Sequence, residues 1–225
     1  MKLLLVAATT AEIQQTLDFL GLTPGETGMI KKGDQEIHLL ISGVGLMPAT
    51  FSLTRKLSAG HFDFVLQAGI GGLYATDIAA EEIELGDLIA IRSEYLGDLG
   101  AEDHANYISI FELGFLKPDE PPFSNGRLIN PITGIPFSPL PPLVDGMTVH
   151  TVSGHASTIT RRYKDHTLAA ESMEGAALHY VCLQLGIPFL QVRAISNYVT
   201  PRDRSSWQIG KAIKSLNDLL SSWLG

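Results

Sequence analysis

Four polar residues stand where this chain could do chemistry. Glu12 follows an apolar run at the N-terminus, Glu174 sits inside Glu171-Ser172-Met173-Glu174-Gly175-Ala176, and Arg193 and Asn197 end the run Arg193-Ala194-Ile195-Ser196-Asn197. A carboxylate accepts two hydrogen bonds and can take a proton from water. An asparagine amide donates and accepts together but releases no proton as an acid does. Each residue also has a plainer reading. Thr9-Thr10-Ala11-Glu12 fits a capping box, with Glu12 bonding back to the Thr9 backbone. Glu174 fits the first turn of a helix, where the dipole favours an anion. Met173 fits a core position, Arg193 a buried ion pair, and Asn197 a turn or cap. Seven histidines and one cysteine show no metal-ligand spacing, so neither metal nor other cofactor is expected.

The elements that must hold these residues can be read from hydrophobic period and from glycine. Residues 3–8, 37–42, 64–68, 85–93, 147–152 and 189–195 read as strands. A helix carrying Ile13, Leu17 and Leu20 stops at Gly21, and another carries Phe51, Leu53 and Leu57 before Gly60. Residues 173–185 read as a helix stopped by Gly186. Residues 207–224 form an amphipathic helix whose Ser205 and Gln208 have capping-box spacing. Strands alternating with helices predict an α/β fold: a single domain over residues 1–225, with a central mixed, mostly parallel sheet flanked by helices. Such sheets bind ligands beyond the carboxyl ends of their strands, where several of these strands run into glycine or polar clusters. Residues 117–142 hold eight of the twelve prolines and read as a long surface excursion, a lid or a dimer contact if functional.

The formal charge of −8 disfavours nucleic acid and an anionic membrane as partners. The apolar run at residues 2–8 meets Thr9-Thr10-Ala11-Glu12 at once, so it reads as a buried strand rather than a signal peptide. No apolar run is long enough to span a bilayer. Cys182 is the only cysteine, which suits the cytoplasm.

The motifs Ser42-Gly43-Val44-Gly45, Ala68-Gly69-Ile70-Gly71-Gly72 and Val152-Ser153-Gly154, with the Met173-Glu174 and Arg193–Asn197 runs, occur in the order and spacing of one family. On them the chain resembles the nucleoside phosphorylase and nucleosidase superfamily. The resemblance implies that Glu174 grips the ribose hydroxyls, where an anion also stabilises the oxocarbenium-like centre that forms as the bond breaks. It implies that Glu12 assists the attacking water, that Arg193 lies near that water, and that Met173 packs on sugar and base. Gly71, Gly72, Ser153 and Ser196 belong to the matching motifs and are expected to line the substrate site.

Asn197 carries the most information. Adenine-releasing relatives usually have aspartate there, to protonate N7 of the leaving base. An amide donor suits the two acceptors of a 6-oxopurine edge, N7 and O6, so hypoxanthine or guanine is expected rather than adenine. Related purine phosphorylases place an arginine just before the second glycine cluster. Here Leu66 or Gln67 stands at that place, which favours hydrolysis over phosphorolysis. The tail Asn197–Trp207 resembles that of futalosine hydrolases, with Trp207 placed to stack on an aryl ring and Arg202 or Arg204 to clamp its carboxylate. That likeness implies cleavage of futalosine to hypoxanthine and dehypoxanthine futalosine, in menaquinone biosynthesis. A phenylalanine that related enzymes stack on the base is absent; His155-Ala156-Ser157-Thr158 stands there.

Family members commonly complete the 5′ pocket from a neighbouring subunit, so a homodimer is expected. The candidate segment is 95–115, with Tyr107, Ile108, Ile110 and Phe111. Two alternatives stay open: a phosphorylase acting on inosine or guanosine, which would require phosphate, and a nucleoside-binding module without turnover.

Overall fold

In the computed structural model, residues 1–23, 28–74, 83–104, 106–163 and 170–225 are described. The strands are β1 (Lys2–Ala7), β2 (Met29–Lys32), β3 (Gln35–Ile41), β4 (Phe64–Leu73), β5 (Leu88–Leu96), β6 (Gly100–Asp103), β7 (Asn106–Ser109), β8 (Leu128–Ile129), β9 (Leu143–Thr148), β10 (Ala170–Ser172) and β11 (Phe189–Tyr198). The helices are α1 (Thr10–Leu20), α2 (Leu46–Ser58), α3 (Ala156–Tyr163), α4 (Gly175–Leu185) and α5 (Ile209–Leu224).

One mixed sheet runs β10-β9-β5-β11-β4-β1-β3-β2, with β8 on β5. Strand β1 shows why it is central. Leu3 and Leu5 pack into one apolar cluster with α1 and α5, and Leu4 and Val6 into another with α2 and α4. Both faces are covered, so the strand is apolar from Leu3 to Ala7 instead of alternating. Strand β4 pairs in parallel with β11 along its length from Val65 to Leu73 and with β1 over its first half only; beyond β1 its other edge pairs antiparallel with β10 through Gly72 and Leu73. Strands β4, β11, β5, β9 and β10 therefore close on themselves, a partial barrel at one end of the sheet. The glycines permit the turn: a Cβ on Gly71 would lie 3.1 Å from the Glu171 carbonyl oxygen.

The expected α/β architecture is present, with some boundaries moved. The strand expected at 147–152 lies four residues earlier, as β9. Strands β2, β6, β7 and β10 and helix α3 carry too little periodic signal to have been read. The final helix begins at Ile209, and the expected Ser205–Gln208 capping box does not form. Instead the Gln208 amide donates to the Ser196 carbonyl at 2.7 Å, and Ser205 is taken into a 3-10 turn (Arg204–Ser206) capped by Asp203. A tertiary bond outcompetes the local cap.

The proline-rich segment is more than a surface excursion. Leu128, Asn130 and Phe137 are buried, and the Asn130 side-chain amide donates to the Phe189 carbonyl at 2.9 Å. Phe137 stacks on Trp223 of α5 with ring centroids 4.7 Å apart. The segment is thus anchored to the sheet and to α5.

Candidate active site

A cleft of about 380 Å³ opens beyond the carboxyl ends of β1, β4, β10 and β11. Of the residues singled out from the sequence, Glu12, Gly71, Gly72, Ser153, Met173, Glu174, Ser196, Asn197 and Trp207 line it. Arg193 lies behind the wall, and Arg202 and Arg204 lie outside the lining.

Glu12 forms the expected capping box and also faces the cleft. Its Oε2 accepts from the Thr9 amide at 2.9 Å and the Thr9 hydroxyl at 3.0 Å, which closes the start of α1. Its Oε1 turns to the cleft and accepts from the Ile70 amide at 3.3 Å. One carboxylate oxygen is structural and the other faces the site.

Glu174 is the N-cap residue of α4 rather than a first-turn residue; the helix starts at Gly175, two residues later than the expected 173. Its Oε1 accepts from the Gly45 amide at 2.9 Å, and its Oε2 lies 3.6 Å from Arg193 Nη2. Gly45, at φ 94°, brings its amide to the carboxylate from the loop after β3. Arg193 is 1% exposed and donates from Nη2 to Gln67 Oε1 at 3.1 Å. Alanine in place of Gly69 would drive a Cβ into Arg193 Nη1 and to 3.0 Å from Glu12 Oε1. Glycine there is the clearance that lets arginine and glutamate approach one another.

Leu66 and Gln67 precede the second glycine cluster on β4. Leu66 is fully buried in the core. Gln67 is buried and spends its oxygen on Arg193. Neither brings a cation to the cleft.

Asn197 owes its place to an irregularity. The β11–β4 register pairs Ile195 with Gly71 and Asn197 with Gly72, so Ser196 is an extra, bulged residue. Bulges re-aim side chains next to sites. The Ser196 hydroxyl lies 2.9 Å from Asn197 Oδ1 and 3.1 Å from the Gly71 carbonyl, between which its proton is directed. The Asn197 amide donates to the Tyr198 carbonyl at 3.0 Å, leaving its second N–H for the cleft. Gly72 is tight against it, since a Cβ there would meet Val199 at 2.9 Å and Asn197 Nδ2 at 3.3 Å.

Trp207 is half-buried on the cleft wall, beside Ile209 and Ile213 of α5. Arg202 and Arg204 are exposed, with guanidinium carbons 5.1 and 5.9 Å from the indole centroid. They stack on the tryptophan, and that is the position from which they would have to turn to reach a ligand. The Arg202 amide donates to the Gly154 carbonyl at 3.0 Å, which joins this loop to Val152-Ser153-Gly154.

One buried network went unread in the sequence. Glu171 accepts from the Ser153 amide at 2.8 Å, the Ser153 hydroxyl at 2.6 Å and the Tyr74 hydroxyl at 2.7 Å. Arg162 of α3 donates to Ser153 Oγ at 2.7 Å and to Asp98 at 3.0 Å. Burial pushes the Tyr74 hydroxyl well above its ordinary pKa, with the Glu171 charge adding to it. This network fixes the loop carrying Val152 and Ser153 from behind. Glu171, three residues before Glu174 in a motif, was the only hint of it. Under α4, buried Glu94 accepts from Gln191 and Thr148, each at 2.9 Å. Among the described residues no His, Cys, Asp and Glu cluster could hold a metal ion, and no helix is long and apolar enough to cross a membrane.

Comparison with known proteins identifies the family and the fold. A family model described as the phosphorylase superfamily matches residues 21–222. A futalosine hydrolase from Streptomyces coelicolor is 32% identical over 198 residues, covering 82% of this chain and 80% of that protein. One from Acidothermus cellulolyticus is 29% identical, covering 96% and 87%. Among solved structures, a 5′-methylthioadenosine/S-adenosylhomocysteine nucleosidase from Helicobacter pylori superposes with a TM-score of 0.77 at 18% identity, covering 99% of this chain and 97% of that one. A futalosine hydrolase mutant from the same organism gives the same TM-score, identity and coverage.

Proposed function

The chain belongs to the phosphorylase superfamily, and from that premise we propose that it hydrolyses the N-glycosidic bond of futalosine, releasing hypoxanthine and dehypoxanthine futalosine in menaquinone biosynthesis. The observation that carries this reading is the gathering of Glu12, Glu174 and Asn197 in one cleft, with Arg193 tied to a neutral Gln67. The 32% identical futalosine hydrolase supports the substrate class.

In this reading the Glu174 carboxylate holds the ribose hydroxyls, displacing nothing but its contact with the Gly45 amide. Its charge stabilises the positive sugar ring as the bond to the base lengthens. Glu12 Oε1 takes a proton from water entering from the side of Ile70 and Arg193. Asn197 donates a hydrogen bond from its second N–H to the 6-oxopurine edge as the electrons of the C1′–N bond move into the leaving base; the water oxygen then bonds to C1′, and the base takes up a proton from solvent as Glu12 returns its own. Ser153, held by Glu171, and Met173 line the walls between sugar and base. Trp207 stacks on the aryl ring, and Arg202 or Arg204 turns to its carboxylate.

We infer a cytoplasmic homodimer. Met47 and Phe51 of α2 and Phe115 are each more than 65% exposed. Leu46, Leu99 and Leu116 line a hollow between them. The exposed apolar surface therefore centres on α2 and on Phe115 at the end of the expected segment, while Tyr107, Ile108, Ile110 and Phe111 of that segment are half-buried. Val44, on the rim of the active cleft, is 54% exposed on the same loop-helix unit.

The test is incubation with futalosine, inosine and methylthioadenosine, with and without phosphate, followed by identification of base and sugar. Hypoxanthine and a free sugar product from futalosine are expected. Faster adenine release from methylthioadenosine, or a sugar 1-phosphate, overturns the reading.

A further inference from the structure

Helix α1 is broken in its first turn, at the residue after Glu12. Ile13 has φ −125° and ψ 18°, outside the helical region. Sharp irregularities of this kind arise where a side chain enters the hydrogen-bond ladder, and here the intruder is Asn217 of α5. The bond that a regular helix would make from the Thr16 amide to the Glu12 carbonyl is replaced by two bonds through one side chain. Asn217 Nδ2 donates to the Glu12 carbonyl at 2.9 Å, and the Thr16 amide donates to Asn217 Oδ1 at 2.8 Å. The Thr16 hydroxyl donates to the same oxygen at 2.7 Å, and Nδ2 donates also to the Ile213 carbonyl at 2.7 Å. Asn217 is 1% exposed, with both amide hydrogens used and its oxygen accepting twice.

We propose that Asn217 is a positioning residue for Glu12: by holding α1 open at this turn it sets where the Glu12 carboxylate stands in the cleft. Glu12 is then fixed from both sides. In front, Thr9 takes Oε2 and Ile70 takes Oε1; behind, Asn217 takes the main chain. The same amide grips the Ile213 carbonyl, and Ile213 is on the cleft wall. Asn217 thus locks together two adjacent helices that both line the site. A core that needed only adhesion would use an apolar side chain here, as its neighbours Leu216 and Leu220 do.

The inference rests on the assignment of Glu12 as the base, and the test separates the two. Asn217→Leu has the same shape without the amide. Once it is made, the Glu12 carbonyl and Thr16 amide are free to bond with each other, so α1 regularises and no polar group need be orphaned. The folded variant is expected to lose about tenfold to a hundredfold in kcat with KM for futalosine little changed, since small misplacement of a reacting group costs on that order. In a double-mutant cycle, adding Asn217→Leu to Glu12→Gln is expected to cost no further kcat. Asn217→Asp is a second variant that keeps the Thr16 acceptor but sets a carboxylate against two carbonyls; it is expected to show the same kcat loss. Additive losses in the cycle, or a folded Asn217 variant with wild-type kcat, overturn the inference while leaving Glu12 in place. Full activity of Glu12→Gln overturns both.

Discussion

Arg193 Nη2 stands 3.6 Å from Glu174 Oε2, with both groups buried and the same nitrogen bonded to Gln67 Oε1. The arginine balances a carboxylate that would otherwise be a lone charge in a closed site. It also holds that carboxylate at the cleft wall. Removing one member of a buried pair costs up to about 3–5 kcal/mol, whereas a neutral isostere keeps most contacts. Glu174→Gln is therefore expected to fold, by circular dichroism, and to lower kcat by about 10²-fold or more. Near-wild-type turnover would take Glu174 out of the mechanism.

Glu12 serves helix and cleft with different oxygens, so its variants should separate the two. Glu12→Gln keeps an oxygen for the Thr9 amide and is expected to cost less than about 1 kcal/mol of stability, while kcat falls by roughly 10²-fold. A variant that melts early yet turns over normally would make Glu12 a cap alone.

Asn197→Asp tests the reading of the base. A carboxylate facing O6 is repelled unless protonated, whereas adenine offers N6–H as a donor. Hypoxanthine release is expected to fall by about 10- to 100-fold, with a relative gain for adenine from methylthioadenosine. An unchanged ratio of the two rates would count against any role of Asn197 in base selection.

The loop of Arg202, Arg204 and Trp207 is expected to read the 5′ substituent. A bidentate contact to a carboxylate contributes on the order of 1.5–3 kcal/mol, about ten- to a hundredfold in affinity. One of Arg202→Ala and Arg204→Ala should raise KM for futalosine well above its effect on inosine, and Trp207→Ala should do likewise with some loss of stability. Equal weakening of both substrates in every variant would remove this loop from recognition.

Two buried groups, Glu94 of β5 and His179 of α4, set a pH dependence of stability. Burial pushes the Glu94 carboxyl up to about 7, against its bonds from Gln191 and Thr148 and the nearby Arg193, with Glu174 adding to the rise. Burial pushes the His179 imidazole down to about 4, opposed by its contacts with the Leu128 carbonyl and Gln191. For Glu94 the folded state binds the proton more tightly, so stability is lost as pH rises from 4.5 to about 7. For His179 the unfolded state binds it more tightly, so stability is lost as pH falls from 6.5 to about 4. The two slopes oppose each other between pH 4.5 and 6.5. Glu94→Gln removes one of them. Relative to wild type, the variant is expected to gain on the order of 3 kcal/mol between pH 4.5 and 7, read from denaturant unfolding across that range. A constant difference between the two proteins would show Glu94 ionised throughout.

Much of the site was legible because its motifs are short and their roles local. Glu174 belongs to a helix start, Asn197 to a strand end, and the glycines to strand ends that a side chain would block; such features are written in neighbouring residues. The apolar run at residues 3–8 told its own burial on both faces, because only a covered strand tolerates that composition. Other features depend on partners far away in the chain. Nothing near Arg162 announces Glu171, Ser153 and Asp98, and nothing near Glu12 announces Asn217, 205 residues on. The Ser205–Gln208 cap failed for the same reason, since Ser196 claimed the Gln208 amide.

By itself, then, the sequence determined the alternation of strands and helices, the apolar interior and the residue types available at each strand end, all of which follow from periodicity and local backbone preference. Only the tertiary structure decided which oxygen of Glu12 faces the cleft, that Arg193 is tied to Glu174 and Gln67, and that Asn217 breaks α1 beside Glu12. Those are long-range hydrogen bonds between buried groups. A buried donor or acceptor must find a partner wherever the fold brings one, and the pairing is settled only when the sheet has closed and the helices are packed on it.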